Sequence, residues 1–121
     1  MAIVDGYNVS MLAWPELSAG QGRAALERLA SQAQVQLGVS VVLVFDGDAA
    51  GGSAVRSAVG SDVRVRFTEH GVEADDEILA MVGSHPAPVL VVVSNDRRVL
   101  DGARERGANT VRSTDFVALL R

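Results

Sequence analysis

The sequence predicts an α/β domain built on a mostly parallel, five-stranded sheet. Three observations carry this expectation. Five apolar, largely β-branched runs alternate with segments of helical period along the 121 residues. Three of those runs end in an acid, at Asp5, Asp46 and Asp96, and ligands of such sheets bind beyond the carboxyl ends of the strands. The length is that of one domain, large enough for a core.

Taken in order, residues 2–4 read as a strand running into Asp5-Gly6-Tyr7-Asn8. Gly6, without a Cβ, permits a sharp turn or the close approach of a ligand. Residues 9–20, with Trp14-Pro15 and several small residues, read as a loop with room for one helical turn. From about Gly22 to Leu37, Ala25, Leu26, Leu29, Ala33 and Leu37 recur at helical spacing, and Gly38 closes the helix. Val39 to Phe45 suits a strand covered on both faces. Asp46-Gly47-Asp48 and a Gly/Ala/Ser loop follow, and the 49–58 loop is the segment expected to move most.

Val63 to Phe67 alternates Val and Arg like a strand with one exposed face, and is expected at the sheet edge. Glu73 to Val82 reads as a helix whose first turn holds Glu73, Asp75, Asp76 and Glu77. After Pro86 and Pro88, Val89 to Val93 is the most buried-looking strand and ends at Ser94-Asn95-Asp96. Arg97 to Arg106 is helical and stopped by Gly107; Thr110 to Arg112 is a last strand, and Ser113 is placed to cap a final helix. Parallel strands joined this way use right-handed crossovers.

Composition narrows the chemistry. There is no cysteine, hence no disulfide, thiolate nucleophile or thiolate zinc site, in keeping with a cytoplasmic location. No apolar run approaches the ~20 residues of a membrane span, and no signal-peptide pattern opens the chain. All 11 basic side chains are Arg, which excludes any mechanism needing a lysine. A net charge of −4 argues against nonspecific coating of nucleic acid. It is compatible with acids gathered around a cation.

In the common strand order 3-2-1-4-5, the first and fourth strands are neighbours, and Asp5 then faces Asp96 across the crevice. Two carboxylates ~4 Å apart repel by roughly 4 kcal/mol at an effective dielectric of 20. Three or four together call for a hard divalent ion with oxygen ligands, Mg²⁺ or Mn²⁺. Such an ion activates water and polarises phosphoryl oxygens, which makes phosphodiester hydrolysis the leading chemistry.

Each residue also has a plainer use. Asp46 reads either as a turn former or as a ligand, and Asp48 as turn chemistry. Asp76, Glu77 and Glu73 suit the positive end of a helix dipole, and so does Asp115. Asp62, Asp101 and Glu105 read as solvated faces. His70 and His85 lie in turns and make poor bases. Arg23, Arg56 and the Arg97-Arg98 pair beside Asp96 are candidates for holding phosphates. Trp14 is suited to stacking on a base or to packing.

The runs Ile3-Val4-Asp5-Gly6-Tyr7-Asn8-Val9, Trp14-Pro15-Glu16-Leu17, Val44-Phe45-Asp46-Gly47, Glu73-Ala74-Asp75-Asp76-Glu77-Ile78 and Ser94-Asn95-Asp96-Arg97 together resemble the YacP-like branch of the NYN domains, in the PIN-like ribonuclease superfamily. The resemblance covers essentially the whole chain. It implies a three-layer α/β/α sandwich and a metal-dependent endoribonuclease acting on mRNA, in association with the ribosome. The acidic metal site then maps onto Asp5, Asp75 and Asp96, with Asp46 and Asn8 in support and Ser94 as the hydroxyl residue before the last acid. The chain is shorter than typical members and net acidic, so a partner or the ribosome is expected to supply affinity.

Rival readings remain. Phosphatases of the haloacid dehalogenase type and phosphorelay receivers rely on a Lys, which is absent. A PIN-type toxin with an antitoxin partner shares the acids and the metal. A non-catalytic RNA- or ribosome-binding adaptor keeps the fold, and metal binding with no cleavage of any RNA distinguishes it. The RNA target, the number of metals and the oligomeric state are not encoded in any readable motif.

Overall fold

A computed structural model describes residues 1–47, 54–57, 63–85 and 90–120, with side chains described outside 54–57. Asp48, Asp62, the Arg56 side chain, Pro86, Pro88, Val89 and most of the 49–58 loop lie outside the described residues. The elements run β1 (Ala2–Asp5), α1 (Gly6–Ala13), α2 (Ala19–Leu37), β2 (Val41–Phe45), β3 (Ala54–Ser57), β4 (Val63–Phe67), α3 (Ala74–Ser84), β5 (Val91–Val93), α4 (Arg97–Glu105), β6 (Asn109–Val111) and α5 (Ser113–Leu120).

The sheet order is β3-β4-β2-β1-β5-β6, with every pairing parallel except β3 with β4. The five parallel strands thus take the order 3-2-1-4-5 in their own numbering. One further strand, β3, falls in the stretch read as a Gly/Ala/Ser loop, whose composition gives no strand signal. It pairs outside β4, so Val63 to Phe67 is not the edge. The Val/Arg alternation of β4 has another cause. Val63, Val65 and Phe67 face the larger core, while Arg64 stays exposed and Arg66 reaches Glu77 on α3 at 2.7 Å.

Strand periodicity divides the core into two layers. Val4, Val41, Leu43, Phe45 and Val93 join Val9, Leu26, Leu29, Phe116 and Val117, so α1, α2 and α5 cover one face. Ile3, Val42, Val44 and Val92 join Ile78, Val82, Val99 and Ala103, so α3 and α4 cover the other. This is the three-layer α/β/α sandwich. Trp14 packs against the first layer.

Two local features depart from the sequence reading. Residues 6–13 form a helix that starts directly after β1; its short length and mixed composition give a weak periodic signal. Helix α2 begins three residues before Gly22, because Ser18 and Gln21 form a reciprocal capping box. Gly38, at φ +66°, ends it as expected.

Gly6 serves packing rather than ligand access. A Cβ there would lie 2.4 Å from the Phe45 ring, and that ring is held between Tyr7 and Phe67 at centroid distances of 4.9 and 5.7 Å. Fully buried, Phe45 has nowhere to go. Gly6→Ala is therefore expected to destabilise the domain by about 1–3 kcal/mol, the usual range for overpacking. A urea midpoint that falls with the slope unchanged would show it.

Candidate active site at the carboxyl edge of the sheet

Three helices start at the carboxyl edge with an acid at the N-cap position: Asp5 before α1, Glu73 before α3 and Asp96 before α4. A capping aspartate normally accepts a backbone N–H. Asp96 does so, its Oδ1 accepting from the Arg98 backbone N–H at 2.8 Å. Asp5 and Glu73 do not cap their helices with their side chains. The Asp5 carboxylate instead accepts from the Ser94 hydroxyl at 2.9 Å, across the β1–β5 pairing. Ser94 in turn accepts the Asp96 backbone N–H at 2.9 Å.

Asp5 is 9% exposed. Burial pushes its carboxyl up from 3.8 to about 6; the Ser94 bond opposes this, and the nearby Asp96 and Asp75 charges add to it. Asp5, Asn8, Asp46, Glu73, Asp75 and Asp96, with Tyr7, Met11 and Ala74, line one open cleft. Among the described residues, carboxylate oxygens of Glu73, Asp75 and Asp76 come within 4.8 Å of one another. The Asp75 carboxylate beside Glu73 is the main cause that raises the Glu73 carboxyl above its ordinary value.

Asn8 acts on the backbone. Its Oδ1 accepts the Asn95 N–H at 2.8 Å and the Ser113 hydroxyl at 2.7 Å. It thereby ties α1, the loop after β5 and the start of α5 together. Ser113, expected to cap the last helix, is instead its first residue, and its hydroxyl donates to Asn8.

The arginines divide. Arg98 donates to both Asp75 and Asp76, the latter at 2.7 Å, and these two carboxylates raise its guanidinium pKa. Its described partners are the acids themselves, so part of their repulsion is offset within the chain. Arg23 donates to the Tyr7 hydroxyl at 2.7 Å and lies 5.7 Å over the Phe67 ring. Arg97 does not line the acidic cleft; it is exposed and 3.8 Å from Asp101.

The site therefore gathers Asp5, Asp75 and Asp96 with Asp46 at one cleft, and Ser94 and Asn8 brace it. Glu73 is the lining residue that the sequence reading assigned to a helix dipole alone. Its signal was present in the acidic run 73–77, but helix-start acids are too common to decide between the two uses.

A family model described as a YacP-like NYN domain matches residues 2–121. Two crystal structures of Rae1 (YacP) from Bacillus subtilis are similar in fold. One, a point mutant, has a TM-score of 0.80 at 24% identity, covering 98% of this chain and 73% of that one. The other has a TM-score of 0.74 at 25% identity, covering 99% and 72%. Comparison with curated protein sequences gives no match.

Two outcomes follow from this geometry. Since the folded state holds the Asp5 proton more tightly than the unfolded chain does, metal-free stability is greatest below about pH 4 as far as this group is concerned. It is lost as pH rises through about 6. Asp5→Asn is expected to remove that slope and to stabilise the metal-free protein at pH 7 by on the order of 3 kcal/mol, read by denaturant titration across pH. Asn8→Ala strands the buried Ser113 hydroxyl and should lower stability by about 1–3 kcal/mol in the same titration.

Proposed function

Because the chain belongs to the YacP-like NYN domain family, a ribonuclease-type family, we propose that it is an endoribonuclease that uses Mg²⁺ or Mn²⁺ to hydrolyse RNA phosphodiester bonds. The single observation that most supports this reading is the buried Asp5 carboxylate. It is turned away from its own helix and aligned by Ser94 into a cleft that also holds Asp75 and Asp96.

The donor set fits a hard divalent cation. The acids that line the cleft offer carboxylate oxygens, and burial, with the nearby Asp96 and Asp75 charges adding to it, holds the Asp5 carboxyl above its ordinary value. Asp5, Asp75 and Asp96 would hold the ion, with Asp46 at the rim. When bound, such an ion polarises the phosphoryl group and acidifies water. The protein's own share is positioning. Ser94 fixes one oxygen of Asp5 and the backbone of Asp96 with a single hydroxyl. Asn8 holds the Asn95 backbone beside them, and Asp76 keeps Arg98 against Asp75.

RNA is the proposed substrate, mRNA in association with the ribosome being the form the family resemblance implies. The net charge of −4 supports a role for a partner in affinity, since phosphate neutralisation drives free binding. No helix among the described residues is long and apolar enough to cross a membrane, and a cytoplasmic site of action belongs to the same proposal. One observation favours a non-catalytic adaptor: Arg98 already engages two of the acids. Ion binding without cleavage of any RNA would decide for it.

Asp96→Asn and Asp5→Asn are expected to abolish Mn²⁺-dependent cleavage of RNA while the fold persists, checked by gel mapping of RNA ends and by circular dichroism. Retained cleavage in Asp96→Asn would remove that residue from the chemistry. Mn²⁺ at 100 times its dissociation constant should stabilise the wild type by about 2.7 kcal/mol, and Asp5→Asn much less, in a thermal melt.

A further inference from the structure

A second pocket adjoins the acidic cleft where α4 begins, and its chemistry is opposite. Asn95, Arg97, Leu100, Asp101, Arg104 and Arg112 line it. Three of the chain's 11 arginines thus meet around one acid, in a protein whose net charge is −4. The cluster is ordered. Asp101 lies between Arg97 and Arg104, at 3.8 and 3.3 Å, and Arg104 Nε donates to the Thr110 hydroxyl at 3.0 Å. Among the described residues, no ion pair or hydrogen bond engages the Arg112 side chain, which is exposed just after β6.

Its position matters as much as its charge. Asp96 lines the acidic cleft and Arg97, the next residue, lines the arginine pocket. Asn95 lines the arginine pocket, and its backbone N–H is held by Asn8, which lines the acidic cleft. Arg98 and Arg23 are engaged with Asp75, Asp76 and Tyr7, whereas Arg97, Arg104 and Arg112 gather at one pocket.

We propose that Arg97, Arg104 and Arg112 form a phosphate-binding subsite that holds the RNA backbone on the β6 side of the cleaved bond. The inference rests on the nuclease reading and adds the path of the strand to it. Guanidinium groups suit phosphate because they offer paired donors in a fixed plane. Contacts of this kind position a strand without reading its sequence.

Salt dependence provides the test. End-labelled single-stranded RNA is titrated with full-length protein in EDTA, and anisotropy is followed over a range of KCl. Arg112→Gln and Arg104→Gln should each weaken binding several-fold and lower the slope of log K against log salt by about 0.7. Arg112→Lys should keep the wild-type slope, and Arg28→Gln, on the exposed face of α2, should change neither quantity. Thermal melts of each variant separate a folding defect from a lost contact. Unchanged affinity and slope in both glutamine variants, with RNA still bound and still cut in Mn²⁺, would overturn the subsite and leave the nuclease reading standing. Equal losses in Arg28→Gln would reduce the effect to net charge and overturn it too. If the wild type binds no free RNA in EDTA the subsite is overturned, whereas cleavage in Mn²⁺ decides the nuclease reading separately.

Discussion

A carboxylate buried at the end of the central strand is the constraint around which this domain is arranged. Asp5 leaves β1 where a helix begins, and the cheap solution for an aspartate there is to cap that helix. It bonds Ser94 instead, and burial with two acids nearby lifts its carboxyl to about 6. Desolvating a charge without a cation costs free energy that the fold must offset elsewhere. The two apolar layers on either face of the sheet supply that stability.

The acids are not equivalent, and their differences come from what each side chain does locally. Asp96 is a working cap, so one of its oxygens is committed to α4. Asp75 and Asp76 share Arg98. Asp5 is the most enclosed of those lining the cleft. A cation entering here would therefore meet one desolvated carboxylate and several partly engaged ones. Consecutive residues at the start of α4, Asp96 and Arg97, line the negative cleft and the arginine pocket respectively, so charge in this molecule is segregated by position although the total is modest.

Much of the fold was legible in the residues. Parallel strands need apolar runs on both faces, and the order 3-2-1-4-5, taken as the common one for such sheets, is the order that the five parallel strands adopt. The misses share a cause: short elements whose stability is tertiary. Helix α1 has eight residues, below the length at which propensity speaks. Strand β3 has four and exists by pairing with β4. The edge assignment of β4 failed because its arginines mark the limit of the helical layer rather than the limit of the sheet.

Local pattern was enough for the five parallel strands, the helix ends at Gly38 and Gly107, and the acids that stand at strand ends, because these depend on periodicity and backbone conformation over a few residues. Tertiary structure alone decided which of those acids meet. The Ser94–Asp5 bond spans 89 positions and the Asn8–Ser113 bond 105, and Arg98 finds Asp75 and Asp76 over 20 residues away. Charge pairing and desolvation act through space, and no local pattern records the distance between side chains that the sheet order brings together.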